Sequence, residues 1–337
     1  MKRVLVVFLL LLSLAALALG GGWLARDRYL AAPVGAPRSL EDPWFRIEVG
    51  EGFGAVAFRL EREGWIDHAR WFGLEARYRG IDRKVVPGFY EHRSDESVLG
   101  LLERLGRAEV TTVKVTIPEG WRLHQILPAL AEATRQPLSA FEALSVDPAF
   151  LKRHAVPGPG LAGYLLPETY QVAIGDSPER ALGQLLAAGD EAWQKLRPQA
   201  ESLELDRAKL WALASVIEAE AVLDLERRRI SAVFWNRIRR GMKLESDPTV
   251  LFALGRPPGR LLYRDLEIDS PYNTYRYPGI PPGPICAPGK ASLAAAVNPL
   301  SDCKDLFFVA RGDGSHIFTR TLKAHNRAKR EVRRKSN

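Results

Sequence analysis

Hydrophobic and polar positions divide the chain into an uncharged opening run and a patterned body. Residues 4–25 carry no charge, and a run of that length can cross the hydrocarbon core of a bilayer as a helix. Lys2 and Arg3 precede it, which keeps residues 1–3 in the cytoplasm and puts everything after Arg26 on the far side of the membrane. A cleaved signal peptide is the alternative, because the most apolar part, 4–19, is short and Gly20, Gly21 and Gly22 follow it. Trp23 as an interfacial residue and the lack of an A-x-A site favour an uncleaved anchor. Residues 26–43, rich in Pro, Gly, Ala and Ser from position 31 onward, read as a linker.

In the body, alternation predicts strands at 45–49 and 110–117 and a strand at 84–91 broken by Pro87 and Gly88. Helices are expected at 53–63, stopped by Gly64, and at 66–79, with a third opened by the capping pattern Ser94, Asp95, Glu96, Ser97 and running to 106. These elements make a small α+β unit over 44–116 with no acid, histidine or serine constellation. Its Trp65, Trp71, Phe89 and Tyr90 either stack on sugar rings or form its core. From 117 to 337 the pattern is mostly helical, over 121–134, 138–150, 178–196, 208–222 and 225–240, with a hairpin of 306–310 and 316–320 before a basic C-terminal helix. Asp247 and Pro248 read as the N-cap and first turn of a helix over 249–254. Residues 269–289, with Pro-rich spacing, three tyrosines and Asn273, form a long ordered loop of the kind that carries function. The fold class expected is therefore α+β: one transmembrane helix, a small α+β unit, then a mixed, mostly helical domain with a short β-hairpin.

The stretch 209–222, KLWALASVIEAEAV, organises the second part. Leu210, Leu213, Ala214 and Ile217 recur as one buried stripe, with Glu218 and Glu220 on opposite shoulders. A carboxyl group at the edge of a core is a candidate general acid. The neighbours of Glu218 along its own helix are Trp211, Ser215 and Val222, so no cation is expected beside it. Helical geometry alone does not choose between the two glutamates, and two solvated glutamates on an amphipathic helix are the plain structural alternative.

The net charge of +8 changes little, because 320–337 holds eight basic residues against Glu331 alone and the rest is close to neutral. Nucleic acid is not an expected partner. Cys286 and Cys303 form either one disulfide or two free thiols, and their spacing argues against zinc. No phosphate-binding loop or dinucleotide fingerprint is present. His68, His92, His124, His154, His316 and His325 are scattered without H-E-x-x-H, and no serine stands in a G-x-S-x-G elbow. Neither a metal nor a cofactor is expected. A helix glutamate, a polar aromatic loop and an extracytoplasmic body fit cleavage of a polysaccharide by general acid catalysis, with tyrosines and Asn273 holding a sugar.

The motifs ASVIEAEA at 214–221, VFWNRIRRGMKLESDPTVLFALG at 233–255 and YNTYRYPGIPPGPI at 272–285, supported by GYLLPETY from Gly163, carry a resemblance over about 45–334. In this order they resemble the endolytic murein transglycosylases of the YceG-like (MltG) family. The resemblance implies a LysM-like unit at 44–116 and a catalytic domain at 117–337. It also implies single-pass anchoring in the bacterial inner membrane with a periplasmic domain, glycan strands of peptidoglycan as substrate, and association with peptidoglycan synthases as a terminator of elongation. The family's acid, the glutamate of an S-x-I-E element, falls on Glu218. Glu218 would protonate the MurNAc–GlcNAc oxygen and then take the proton of the MurNAc 6-hydroxyl, leaving a 1,6-anhydro end. Asn273 and either Tyr272 or Tyr275 would orient the sugar. Glu220, Asn236 and Asp247 would support loop and helix geometry, and Thr274, Ser215 and Tyr164 join these substrate-binding or supporting positions. A hydrolytic muramidase pairing Glu218 with Asp247, and a non-catalytic peptidoglycan-binding scaffold, are the competing readings.

Overall fold

A computed structural model describes residues 2–35, 44–93 and 95–336. The chain forms two compact units, Met1–Val113 with Ala173–Gly175, and Lys114–Val172 with Asp176–Asn337.

The first unit opens with α1 (Lys2–Ala31), in which Leu9–Ala31, at mean hydropathy 1.7, is long and apolar enough to cross a membrane. The helix does not stop at Ala25. Arg26 donates to both oxygens of Glu75 at 2.9 and 2.6 Å, and Leu30 is buried in the core. A two-point ion pair and a buried leucine hold this last turn, so the first residues expected as linker are helix. Of the expected linker, 36–43 lie outside the described residues, as does Ser94 of the expected capping pattern. Ser97 caps the helix instead, its Oγ accepting the Gly100 N–H at 3.1 Å.

Strands β1 (Trp44–Ile47) and β2 (Gly88–Glu91) pair antiparallel, Trp44 opposite Glu91 and Ile47 opposite Gly88. Between them lie α2 (Phe53–Glu63) and α3 (Ala69–Tyr78), and α4 (Val98–Gly106) follows. Gly64 ends α2 in the left-handed region, φ 85°, where its N–H reaches the Leu60 and Glu61 carbonyls. Phe45 meets Trp65 edge-on at 5.0 Å and stacks on Tyr90 at 5.4 Å in a buried cluster with Leu60, Phe72 and Leu101. Trp65 and Tyr90 are thus core residues, and neither can stack on a sugar. Trp71 is 46% exposed.

Strands β3 (Thr112–Thr116) and β4 (Thr169–Ala173) form a second pair. Helices α5 (Leu123–Thr134), α6 (Leu138–Ser145) and α7 (Pro148–Arg153) follow β3. One helix was expected over 138–150. It breaks because Asp147 caps a new helix, accepting the Phe150 N–H at 2.6 Å, and Pro148 takes its first position. Next come α8 (Pro178–Ser202), α9 (Arg207–Glu220), α10 (Asp224–Arg239), α11 (Asp247–Ala253) and α12 (Lys290–Val297). The hairpin is β5 (Phe307–Ala310) and β6 (His316–Thr319), with Ala310 opposite His316, and α13 (Leu322–Ser336) is the basic helix. Residues 210–217 of α9 are buried on every side, because α8, α10, α11 and α12 all pack against it. The architecture is mixed α+β with helices dominant.

Candidate active site

Helix α9 ends at Glu220, where Ala221 turns extended at φ −87°, ψ 116°. Residues two apart on a helix point about 200° away from each other, so Glu218 and Glu220 meet different surroundings. Glu218 has a side chain only 7% exposed, and its Oε1 accepts from Arg227 Nη1 at 3.0 Å. Its Oε2 accepts the Gly289 N–H at 2.9 Å. Arg227 also donates to Ser292 Oγ at 2.6 Å and Asp224 Oδ1 at 2.8 Å. A Cβ at 289 would stand 1.8 Å from Glu119 Oε1, so the half-exposed Glu119 side chain would have to swing aside to admit one. The expectation that no cation stands beside Glu218 is therefore corrected. Neighbours along α9 do include none, but Arg227 arrives from α10 and the Gly289 N–H from the start of α12. Both oxygens of Glu218 are engaged by donors, one of them cationic, which is the arrangement of an ion-paired structural post.

Glu220 faces a cavity of about 290 Å³, shared with Asp247, Tyr275, Arg237, His316 and Lys329. Ser246 Oγ donates to Glu220 Oε1 at 2.6 Å. Burial pushes the Glu220 carboxyl up to about 7, the Ser246 bond and the charge of Arg237 working against this and the charge of Asp247 adding to it. Arg237 is committed elsewhere: Nε donates to the Leu306 carbonyl at 2.7 Å, and Nη1 to Leu244 O and Glu245 Oε2 at 3.0 and 2.9 Å. Among the described residues no cation pairs with Glu220.

Asp247 is not the N-cap expected of it. Ser246 holds that position, and Asp247 is the first helical residue, with its Oδ1 accepting the Tyr275 hydroxyl at 2.5 Å. Local capping therefore does not account for Asp247, and the cavity does. Burial and the neighbouring Asp247 raise the Tyr275 phenol well above its ordinary range, which keeps it a donor.

The other expected site residues serve the framework. Asn273, fully buried, donates to the Leu266 and Ile268 carbonyls at 2.9 and 2.8 Å and accepts the Tyr275 N–H at 3.0 Å. It has no free atom for a sugar, contrary to expectation, and instead fixes the loop that presents Tyr275. Thr274 Oγ1 accepts the Ser246 N–H at 3.0 Å and meets Thr249 Oγ1 at 2.8 Å. Ser215 Oγ donates to Ala212 O and accepts the Ile285 N–H, at 2.8 and 2.9 Å. Tyr164 donates to the Pro157 carbonyl at 2.7 Å, and Asn236 Nδ2 to those of Cys303 and Asp305 at 2.8 and 3.0 Å. Tyr272 packs its ring on Phe252, centroids 4.8 Å apart. Cys286 and Cys303 are free thiols. Asn273→Ala leaves two partly buried carbonyls and one partly buried N–H without their partner, so it is expected to lower unfolding stability by about 1–3 kcal/mol, read as a shifted urea midpoint.

Sequence reasoning missed Ser246, Arg237, and His316 with its partner Glu226. Ser246 stands next to Asp247 and was within reach. His316 was one histidine among six, and only the folding of the β5–β6 hairpin onto α10 gives it a partner.

The profile of the YceG-like family matches residues 45–331. An endolytic murein transglycosylase of Bacillus subtilis is 33% identical over 300 residues, covering 84% of this chain and 82% of its own length. A second protein of that description, from Streptococcus pneumoniae, is 27% identical over 313 residues, covering 83% of this chain and 56% of its own. This chain thus spans little more than half of that relative. The crystal structure of a yceG-like protein from Listeria monocytogenes, 30% identical, matches with a TM-score of 0.60 over 84% of this chain and 97% of its own. The profile covers α9, its two glutamates, the cavity and the tyrosine loop, and the chain belongs to the YceG-like family.

Proposed function

We propose that this protein cleaves the MurNAc-β-1,4-GlcNAc bond inside peptidoglycan strands by non-hydrolytic transglycosylation, with Glu220 rather than Glu218 as the acid. The observation that carries this reading is the contrast between the two carboxyls. Glu220 opens on a cavity, has no cationic partner among the described residues, and is pushed up to about 7, whereas both oxygens of Glu218 are engaged. A group that holds its proton near neutral pH and can give it up is suited to acid catalysis. The names of the relatives supply the substrate class.

In the reaction, Glu220 protonates the glycosidic oxygen as the bond to C1 breaks. Positive charge grows on the sugar ring, and Asp247, oriented by the Tyr275 hydroxyl, faces that cavity with negative charge. The MurNAc 6-hydroxyl then closes on C1, and the proton it gives up restores the acid form of Glu220. The product is a 1,6-anhydro end, and no water is consumed. Because the substrate supplies its own nucleophile, no second nucleophilic carboxylate is needed.

The same reading makes α1 a single-pass anchor with the body on the periplasmic side of the inner membrane, supported by Lys2 and Arg3 before the apolar run. The first unit is a LysM-like module in contact with peptidoglycan, supported by its strand–helix–helix–strand order and antiparallel strand pair. Cleavage near a synthase would then end strand elongation. Mass spectrometry of digested intact strands tests the reaction, with ends one water lighter than reducing ends expected. Reducing ends would favour hydrolysis, and no new ends would leave a binding scaffold.

A further inference from the structure

The cavity that holds Glu220 also holds a histidine for which the reaction above has no role. His316 begins β6 and is 9% exposed. Its Nδ1 lies 2.7 Å from Glu226 Oε2, and its backbone N–H donates to Glu226 Oε1 at 3.1 Å. A carboxylate can only accept, so Nδ1 carries the hydrogen, and in the neutral form of the ring the lone pair is the one on Nε2. Phe308 and Phe318 flank the ring at 5.4 and 6.1 Å and fix its plane. Nε2 has no hydrogen-bond partner among the described residues, although the ring lines the same cavity as Glu220 and Asp247. Pinning the hairpin to α10 accounts for the Nδ1 side of the ring. It does not account for an unpartnered acceptor on the wall of the cavity that Glu220 also lines.

We propose that His316 is a catalytic base of this site, its Nε2 accepting the hydrogen bond of the MurNAc 6-hydroxyl and then its proton. The inference rests on the transglycosylase reading and divides the acid and base roles between two groups. The C1–O4 bond breaks with its electron pair on O4, which takes the Glu220 proton. The O6–C1 bond forms, and the O6 proton moves to Nε2. The imidazolium, held by the Glu226 carboxylate, returns that proton to the Glu220 carboxylate in the same cavity. The net change is one proton moved from O6 to O4, and both groups are restored. Consecutive residues of α10 thus serve different ends: Arg227 engages Glu218, and Glu226 orients the base.

His316→Asn tests this directly, because the Asn amide nitrogen stands near the position of Nδ1 and can still donate to Glu226, while nothing replaces Nε2. On intact glycan strands the full chain carrying His316→Asn is expected to lose about a hundredfold in kcat, with KM within about threefold and an unchanged melting temperature. Imidazole added to a folded His316→Gly variant is expected to restore part of the rate. Near wild-type cleavage by His316→Asn, or a folded His316→Gly that does not respond to imidazole, overturns the proposal. Wild-type product analysis separates the two layers. Reducing ends from the wild type would sink the transglycosylase reading and this base role together, whereas anhydro ends with a fully active His316→Asn would sink the base role alone.

Discussion

Glu220→Gln is expected to lower the rate of strand cleavage by about a thousandfold or more, while Glu218→Gln keeps it within about tenfold. Glutamine fills the space of glutamate and can still accept from Ser246, so the fold around position 220 is preserved and only the proton is lost. At position 218 the same change removes the charge opposite Arg227, whose remaining partners include Asp224 and Ser292. Leaving a buried guanidinium short of one carboxylate destabilises the protein, by about 2 kcal/mol once Asp224 is counted, without touching the cavity. The two variants are therefore distinguished by opposite signatures, one inactive and stable, the other active and less stable. Soluble fragments released from isolated sacculi give the rate, and thermal melting gives the stability. An inactive Glu218→Gln with an undiminished melting temperature, beside an active Glu220→Gln, would return the acid role to Glu218.

The reason the sequence leaves these two residues tied lies in what periodicity records. The repeat of Leu210, Leu213, Ala214 and Ile217 gives the rotation of α9, and so places the glutamates on opposite shoulders. It does not say which other helix approaches each shoulder. Arg227 and Gly289 reach Glu218, and Ser246 and Asp247 flank Glu220, through tertiary packing alone. The resemblance chose Glu218 by motif position, with no account of either shell. Local punctuation, by contrast, was legible: α2 runs Phe53–Glu63 as its pattern and Gly64 imply. Where two local signals compete, as at Asp147 and Pro148, the longer apolar period conceals a break. Asn273 shows the same limit in another form, since its residue type suggests sugar binding while its own loop consumes both ends of the amide. His316 depends on Glu226, ninety positions away, and no spacing rule links them.

Raising the pH from about 4.5 to beyond 7 is expected to weaken this protein twice at one residue, first in stability and then in rate. The Glu220 carboxyl has an ordinary value of 4.5 and is held at about 7 in the fold, so the folded protein binds that proton more tightly than the unfolded chain does. Its contribution to stability is then fully present below about 4.5, falls progressively as the pH rises from there, and is gone once the pH has passed about 7. The shift corresponds to about 3 kcal/mol by pH 8. Glu220→Gln carries no titrating proton, so its stability relative to the wild type rises by about that amount between pH 4 and pH 8. Catalysis follows the same proton: the rate of the wild type falls about tenfold for each pH unit above 7, because only the protonated acid can serve the leaving oxygen. Urea midpoints of both proteins at the two pH values, with cleavage rates of the wild type from pH 6 to 9, check the pair of effects. Parallel stabilities of wild type and Glu220→Gln across this range would mean that the carboxyl does not hold its proton in the fold. The acid role of Glu220 would then lose its physical basis, since the burial that destabilises the ionised form above pH 7 is the same burial that keeps the acid charged with its proton below it.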